Sequence, residues 1–297
     1  MRINSNNYVG ISFVGKLIIG LLFGFVCLNS FSKELKIITL SPHLAELVSA
    51  LGSEKQLIGV SAYSNYPKSL KNIQIIGDVH GLNLELIKSL QPDLILMWES
   101  GTPKQQKEAI HKLFKNSGTQ VIESDARSLK AIPTEILRLG KLIKQEKNAL
   151  VISTQFENDL NRLKQEFSNK SPLKVFYQSW SNPLMTINRH HQIGDMIALC
   201  GGRQLFENER LLIPTVSIES VVKLDPEVIL SASESENSSD NPWAIWSKFP
   251  KLKVHNLNGF KTISGDWLTR PTPRALLAAK EICTFFETVR KNKLTRN

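Results

Sequence analysis

No motif of covalent or phosphate chemistry is present in this chain. It has no GxSxG turn to expose a nucleophilic serine, no HExxH to hold a zinc ion, no P-loop, and no GxGxxG opening a helix after a strand. Those absences take away the usual signatures of hydrolases, zinc proteases, NTPases and dinucleotide enzymes. Histidine offers little more. His43, His80, His111 and His255 are scattered, and the neighbours His190 and His191 would not face one way on a regular element, so no metal site is expected. Basic runs interleaved with aromatics are missing too. Lys and Arg sit among acids, as in KQQKEAIHK and KQEKNAL, which reads as solvated faces rather than a nucleic-acid surface.

One long apolar run is present, and it lies at the N-terminus. Arg2 and Lys16 supply positive charge, Leu17 to Leu28 is apolar, and Ser30-Phe31-Ser32 offers small residues for cleavage. That is the pattern of a secretory signal peptide over residues 1–32, with an apolar stretch short for a bilayer. An uncleaved anchor is the alternative; a lipid-modified Cys27 is disfavoured by bulky Val26 before it. Removing residues 1–32 takes two basic residues and no acid, so the net charge falls from +10 to +8. Of the three cysteines, Cys200 and Cys283 remain. In an exported chain they most simply form a disulfide, with two separate buried thiols as the alternative.

What is present is a stretch that occurs twice. Leu84 to Leu96 reads LELIKSLQPDLIL and Ile218 to Leu230 reads IESVVKLDPEVIL. Each is a short helix stopped by a proline, an acidic residue, and an apolar run entering a buried, parallel strand. Two copies far apart suggest two lobes of similar design. Strands at Leu35–Leu40, Leu57–Val60, Ile73–Gly77, Leu94–Met97 and Gln120–Ile122 alternate with helices after Ser41, at Pro103–Asn116 and from about Ile132. That alternation argues for an α/β fold with a parallel sheet covered on both faces. Glu146 to Phe167 contains no Gly or Pro and repeats apolar residues every three or four, so it is one long amphipathic helix, long enough to join two lobes, with an ordinary surface helix of one large domain as the alternative. The expected division is an N-terminal lobe at 33–143, a linking helix at 144–170 and a C-terminal lobe at 171–297. In the second lobe, strands are expected at Lys174–Tyr177 and Lys253–Leu257, and helices at Ile193–Cys200 and Trp243–Phe249. Gly265–Pro271 reads as a loop, Pro273–Val289 as the last helix and Arg290–Asn297 as a frayed tail.

Ligands of open α/β sheets bind outside the carboxyl ends of the strands. Aromatic residues recur at those ends: Tyr63, Trp98, Trp180 and, in the loop after the last strand region, Trp267. Each alone is more often a packing residue. Together they suggest a cleft whose walls stack on a large, flat or apolar-edged ligand, with Asp266 and Arg270 adding directional hydrogen bonds.

The stretches IITLSPHLAELVSALG, LIGVSAYSNYP, GLNLELIKSLQPDLILMW, CGGRQLF, VSIESVVKLDPEVIL and SGDWLTRPTPRALLAAKEIC resemble the periplasmic binding proteins of ATP-driven importers that take up cobalamin, iron-siderophores and haem. The likeness covers nearly the whole chain beyond residue 32 and is strongest to the cobalamin binders. It implies two Rossmann-like lobes on one long helix, with little hinge closure, and a monomer in the periplasm that holds its ligand without a catalytic cofactor. By position it implies ligand contacts at Tyr63, Trp98 and Asp266 to Arg270, that is Asp266, Trp267, Leu268, Thr269 and Arg270, and Trp180, next to Ser179, is expected to stand in for the pocket aromatic of the cobalamin binders there. It implies a Cys200–Cys283 disulfide, and docking of Glu85 and Glu219, one per lobe, onto an inner-membrane ABC permease with its ATPase subunits. Helix N-terminal acids favoured by the dipole are the plainer reading of those glutamates. Val79, Ile213 and Ser179 stand where the cobalamin binders carry further pocket aromatics. Haem or a ferric siderophore is therefore the alternative ligand, with Tyr63 as an iron-ligating phenolate, and an exported enzyme using the same cleft is the other alternative.

Overall fold

The computed structural model describes residues 34–167, 169–233 and 241–296. The expected signal peptide and most of the polar turn before Pro242 lie outside them. The first sheet is built from β1 (Ile37–Thr39), β2 (Leu57–Val60), β3 (Leu94–Trp98) and β4 (Gln120–Ser124), interleaved with α1 (Pro42–Ala50), α2 (Leu84–Ser89) and α3 (Lys104–Phe114) and followed by α4 (Ala131–Leu142). Its strands are all parallel, in the order β2-β1-β3-β4. Helix α5 (Glu146–Phe167) then leads to the second half. There follow β5 (Leu173–Gln178), a small hairpin of β6 (Trp180–Ser181) and β7 (Leu184–Met185), α6 (Gln192–Leu199), β8 (Gly202–Gln204), α7 (Ile218–Leu224) and β9 (Val228–Ser233). The chain closes with α8 (Lys253–Asn256), β10 (Phe260–Ser264), α9 (Gly265–Thr269) and α10 (Ala275–Arg296). The second sheet is parallel in the order β10-β9-β5-β8.

Counted within its own lobe, each sheet has the order 2-1-3-4, so the two lobes share one doubly wound topology. The doubled stretch is the helix and third strand of each. Gln91 and Asp225, the residues before the two prolines, both adopt the left-handed conformation, at φ 49° and 51°. The acidic residues after the prolines do the same work twice. Asp93 Oδ2 accepts from the backbone N–H of Lys36 at 3.0 Å, and Glu227 Oε2 from that of Lys174 at 2.9 Å. In return the N–H of each acid donates to the carbonyl of the same lysine. Each copy thus fixes the entry of the third strand against the first.

Strand alternation sorts the core into layers. Ile37, Leu94, Leu96, Val175, Tyr177, Val228 and Leu230 face one continuous apolar body that also takes Ala149, Phe156, Leu163 and Phe167 of α5. Ile38, Ile95 and Met97 pack separately under α3, and Phe176 and Ile229 under Trp246. Residues Leu35–Asn297 accordingly form one compact unit. At about 1.5 Å per residue, the 22 residues of α5 span roughly 33 Å along that shared core.

Several expectations need correction. Ile73–Gly77 forms no strand; Val60↔Ile75 and Gly77↔Leu82 are isolated bridges. Lys253–Leu257 turns into the short helix α8, because Asp225 Oδ1 caps its Lys253 N–H at 3.0 Å and Asn258 ends it at φ 52°. The strand is instead Phe260–Ser264, zipped onto β9. The loop Gly265–Pro271 begins with helix α9. Trp243–Phe249 holds only a 3-10 turn at Trp246–Lys248. The supposed frayed tail continues α10 to Arg296, held by Arg290, which donates to the carbonyls of Ser171 (2.8 Å) and Cys200 (2.8 Å).

Candidate ligand-binding site

A cavity of about 250 Å³ lies where the carboxyl ends of the two sheets meet. The first lobe contributes Trp98, Ser100, Ala126 and Arg127, and the second contributes Tyr177, Ser179, His191 to Ile193, Leu212, Ile213, Thr269 and Pro271. Trp98 is the last residue of β3, which brings its ring to the strand end. Its backbone N–H donates to Thr102 Oγ1 at 3.1 Å, and the ring of His43 meets it edge-on at 5.0 Å. Gly101 packs flat beneath the indole; a Cβ there would fall 1.9 Å from Trp98 Cε3, so only glycine fits. The indole Nε1 has no hydrogen-bond partner among the described residues. A larger cavity, about 610 Å³, lies between α4, α5 and α6. Its lining carries no aromatic ring and sits beside the linking helix, so we assign the site to the smaller one.

Two exposed aromatic residues adjoin the lining without being part of it: Trp180 follows Ser179 in the chain, and the Tyr63 carbonyl is bonded to Arg270, between Thr269 and Pro271. Tyr63 is 78 % exposed and adopts φ 64°, a left-handed conformation that costs a non-glycine residue on the order of 1 kcal/mol. Trp180, 54 % exposed, rides on the β6–β7 hairpin with its Nε1 donating to the Asn182 carbonyl at 2.9 Å. Leu212 and Ile213 add partly exposed apolar side chains to the lining, and Ile75, Val79 and Leu211 are exposed as well.

The strain at Tyr63 is held from the opposite lobe. Arg270, almost fully buried, donates from Nη2 to the Tyr63 carbonyl at 3.1 Å and from Nη1 to Asn65 Oδ1 at 2.9 Å. The same guanidinium pairs with Asp266 at 2.6 Å and lies 3.7 Å from Glu46 Oε2. Glu46, on α1 and 2 % exposed, also takes both ends of Arg274: Nε donates to Oε1 at 2.7 Å and Nη2 to Oε2. The Arg274 guanidinium in turn stacks 3.8 Å over the Tyr66 ring. Glu46, Asp266, Arg270 and Arg274 therefore form one ionic clasp between the lobes at the edge of the cleft. The neighbouring His43 has its pKa pushed down to about 3, by burial first and by the charge of Arg270 second.

Of the residues singled out in the sequence, Trp98 and Thr269 line the cavity, while Tyr63 and Trp180 are exposed and outside its lining. Asp266 and Arg270 point into the clasp rather than into open space. Leu268 is a correction: the turn of α9 drives its side chain into the core, fully buried, where its carbonyl accepts from Gln192. Trp267 packs half-buried against the same core. Sequence reasoning missed Glu46, Tyr177, Arg127 and His191. Tyr177 had a readable signal, since it sits next to the carboxyl end of a strand. His191 had none, because its neighbour His190 carries no pattern to tell the two apart.

Glu85 and Glu219 are exposed in the first turns of α2 and α7, each beside an N-cap, Asn83 or Ser217, whose side chain accepts from the helix backbone. Neither has an ion-pair partner among the described residues. Because α2 and α7 run antiparallel to the strands they precede, both glutamates lie at the cleft end of their lobes. Cys200 and Cys283 form a disulfide that ties α6 to α10. Among the described residues no group of three or more His, Cys, Asp or Glu side chains is placed to hold a metal ion. None of their helices is long and apolar enough to cross a membrane.

The family model described as "Periplasmic binding protein" matches residues 37–247. The chain belongs to this periplasmic binding protein family. It is 32 % identical over 258 residues to a vitamin B12-binding protein of Vibrio campbellii, a match covering 87 % of this chain and 91 % of the relative. The crystal structure of the periplasmic vitamin B12 binding protein BtuF of Vibrio cholerae superposes with a TM-score of 0.77 at 28 % identity, covering 87 % of this chain and 99 % of that one. The periplasmic haem-binding protein HutB of Vibrio cholerae shares the fold at a TM-score of 0.74 and 20 % identity, over 85 % and 99 % of the two chains. The fold is thus that of this family, two Rossmann-like lobes on one long helix, and membership makes the chain a binding protein with a periplasmic location, not an enzyme. Such a protein carries a ligand rather than a catalytic cofactor.

Proposed function

We propose that this chain captures cobalamin in the cleft between its lobes and delivers it to an inner-membrane ABC permease with its ATPase subunits. The observation that carries the reading is the cavity shared by both lobes and lined by Trp98 and Tyr177, with the exposed Tyr63 and Trp180 adjoining its lining through Arg270 and Ser179. A corrinoid is far larger than that cavity, so one edge would fill it while the two rings cover the rest. Val79, Ser179 and Ile213 give an aromatic-poor wall, and Ser179 and Ile213 line the cavity directly. In this reading residues 1–32 are a cleaved signal peptide, 33–143 and 171–297 are the lobes, and 144–170 is the link. The mature chain acts as a monomer.

Titration calorimetry with cyanocobalamin tests the reading. Binding tighter than micromolar is expected, and no heat at that concentration refutes it. Tyr63→Ala is expected to weaken binding about tenfold or more by removing an exposed ring; an unchanged Kd removes Tyr63 from the site. The second reading is haem, favoured by the exposed phenol of Tyr63, and a Soret shift on adding haemin would establish it. For permease delivery, the matched exposure of Glu85 and Glu219 at the cleft ends of two like lobes suits a partner of two like halves. Glu85→Lys with Glu219→Lys is expected to spare ligand binding and to abolish pull-down of the permease complex; undiminished association refutes docking there.

A further inference from the structure

Among the described residues, the lining of the cleft cavity includes one ionised side chain, Arg127, and its charge is already matched. Arg127 Nε donates to Asp125 Oδ1 at 2.7 Å, and its Nη2 pairs with Glu99. At the rim, Arg270 and Arg274 are matched in the same way by Asp266 and Glu46. Three guanidiniums thus face four carboxylates, and the cleft holds no spare cation from this set for an anionic ligand.

The cavity offers neutral donors instead. His191 Nδ1 accepts the backbone N–H of Ile193 at 3.2 Å, which places the ring proton on Nε2. Burial holds its pKa down to about 4, so the ring is neutral. Nε2 has no hydrogen-bond partner among the described residues, and the ring lines the cavity. Tyr177 reaches the same cavity from β5; its hydroxyl has no partner among the described residues, and burial raises its pKa, so it stays protonated. A corrin ring carries neutral carboxamides along its edge, whereas haem carries two propionates. We propose that His191 Nε2–H and the Tyr177 hydroxyl donate to carboxamide oxygens of the ligand, and that the matched arginines make the cleft select an uncharged, amide-bearing ligand over a carboxylate-bearing one. This rests on the cobalamin reading above. The physical reason is that a carboxylate would lose its hydration here without gaining an unpaired cation, beside a surplus of negative charge.

The experiment titrates the chain with three probes: cyanocobalamin, its derivative with a corrin-edge propionamide hydrolysed to carboxylate, and haemin. The wild type is expected to bind the carboxylate derivative about tenfold or more weakly, with cyanocobalamin affinity nearly unchanged between 50 and 500 mM salt. His191→Leu and Tyr177→Phe are each expected to weaken cyanocobalamin about 5- to 20-fold. His191→Gln, which keeps a donor, is expected to recover part of that loss, and circular dichroism with a melt confirms that each variant folds. Equal or tighter binding of the carboxylate derivative, or unchanged cyanocobalamin affinity in both His191→Leu and Tyr177→Phe, overturns the proposal. A wild type that takes haemin and ignores cyanocobalamin overturns the function reading itself, and shows in the wild-type titrations alone.

Discussion

Replacing Glu46 with glutamine would open the ionic clasp between the lobes. Glu46 is 2 % exposed, and it matches Arg274 through two contacts and Arg270 through a third. Among the described residues, its loss would leave Asp266 as the single carboxylate beside two guanidiniums that are themselves largely withdrawn from water. Removing one partner of a buried ion pair costs about 3–5 kcal/mol, chiefly because the remaining charge is stranded. Glutamine keeps one acceptor oxygen, so the lower end, about 3 kcal/mol, is expected. At roughly 2–4 °C per kcal/mol for a domain of this size, the melting temperature should fall by about 6–12 °C. The exposed pair Lys104–Glu108, at 3.7 Å, is the control: Glu108→Gln should change stability by less than about 0.5 kcal/mol. The clasp also holds the Tyr63 carbonyl through Arg270, so ligand affinity should fall in Glu46→Gln even at temperatures where the variant is fully folded. Thermal denaturation by circular dichroism, followed by calorimetry on the folded variant, reads both effects. A Glu46→Gln protein that melts within about 1 °C of wild type would refute the clasp as a source of stability.

Acidification should destabilise the protein before the carboxylates titrate. His43 and His191 have folded-state pKa values near 3 and 4, below the ordinary 6.5. The unfolded chain therefore takes up protons first as pH falls. Stability is full above pH 6.5 and declines below it by about 1.4 kcal/mol per pH unit for each histidine, down to their folded values. Urea midpoints at pH 7.5, 6 and 5 should show the decline, and His43→Asn should flatten it; an unchanged slope would count against burial of a neutral His43. Replacing Cys200 and Cys283 together with alanine opens a loop of 83 residues, with a loss of up to roughly 4–5 kcal/mol on the chain-entropy model. An unchanged urea midpoint would show that the bridge leaves the unfolded chain no more constrained. Gly101→Ala should displace the Trp98 ring and lower ligand affinity with little loss of secondary structure, because the added methyl meets the indole itself; tryptophan fluorescence and calorimetry check this.

Much of the fold was legible because it is local. The linking helix runs from Glu146 to Phe167, the bounds that its uninterrupted apolar spacing implies. The doubled helix–proline–strand units proved to be equivalent parts of two lobes of one topology. Where local reading failed, a partner distant in sequence had decided the outcome. Lys253 to Asn256 turned helical under a cap from Asp225, and the tail stayed helical because Arg290 reaches Ser171 and Cys200. Leu268, placed in the ligand loop by position, belongs to the core because one turn of helix points it inward.

The sequence by itself determined the two-lobed α/β plan, the long link and the aromatic residues at strand ends, since hydrophobic period, prolines and chain order are written in neighbouring residues. Tertiary structure alone decided how charge is distributed around the cleft. Arg270 meets Asn65 and Tyr63 across 205 and 207 residues, and Arg274 meets Glu46 across 228. No local pattern records whether an arginine is matched or free, or which nitrogen of a histidine carries its proton. Both depend on what the fold brings within about 3 Å, and among the described residues that leaves Arg127 matched at the cavity and the His191 and Tyr177 donors without partners.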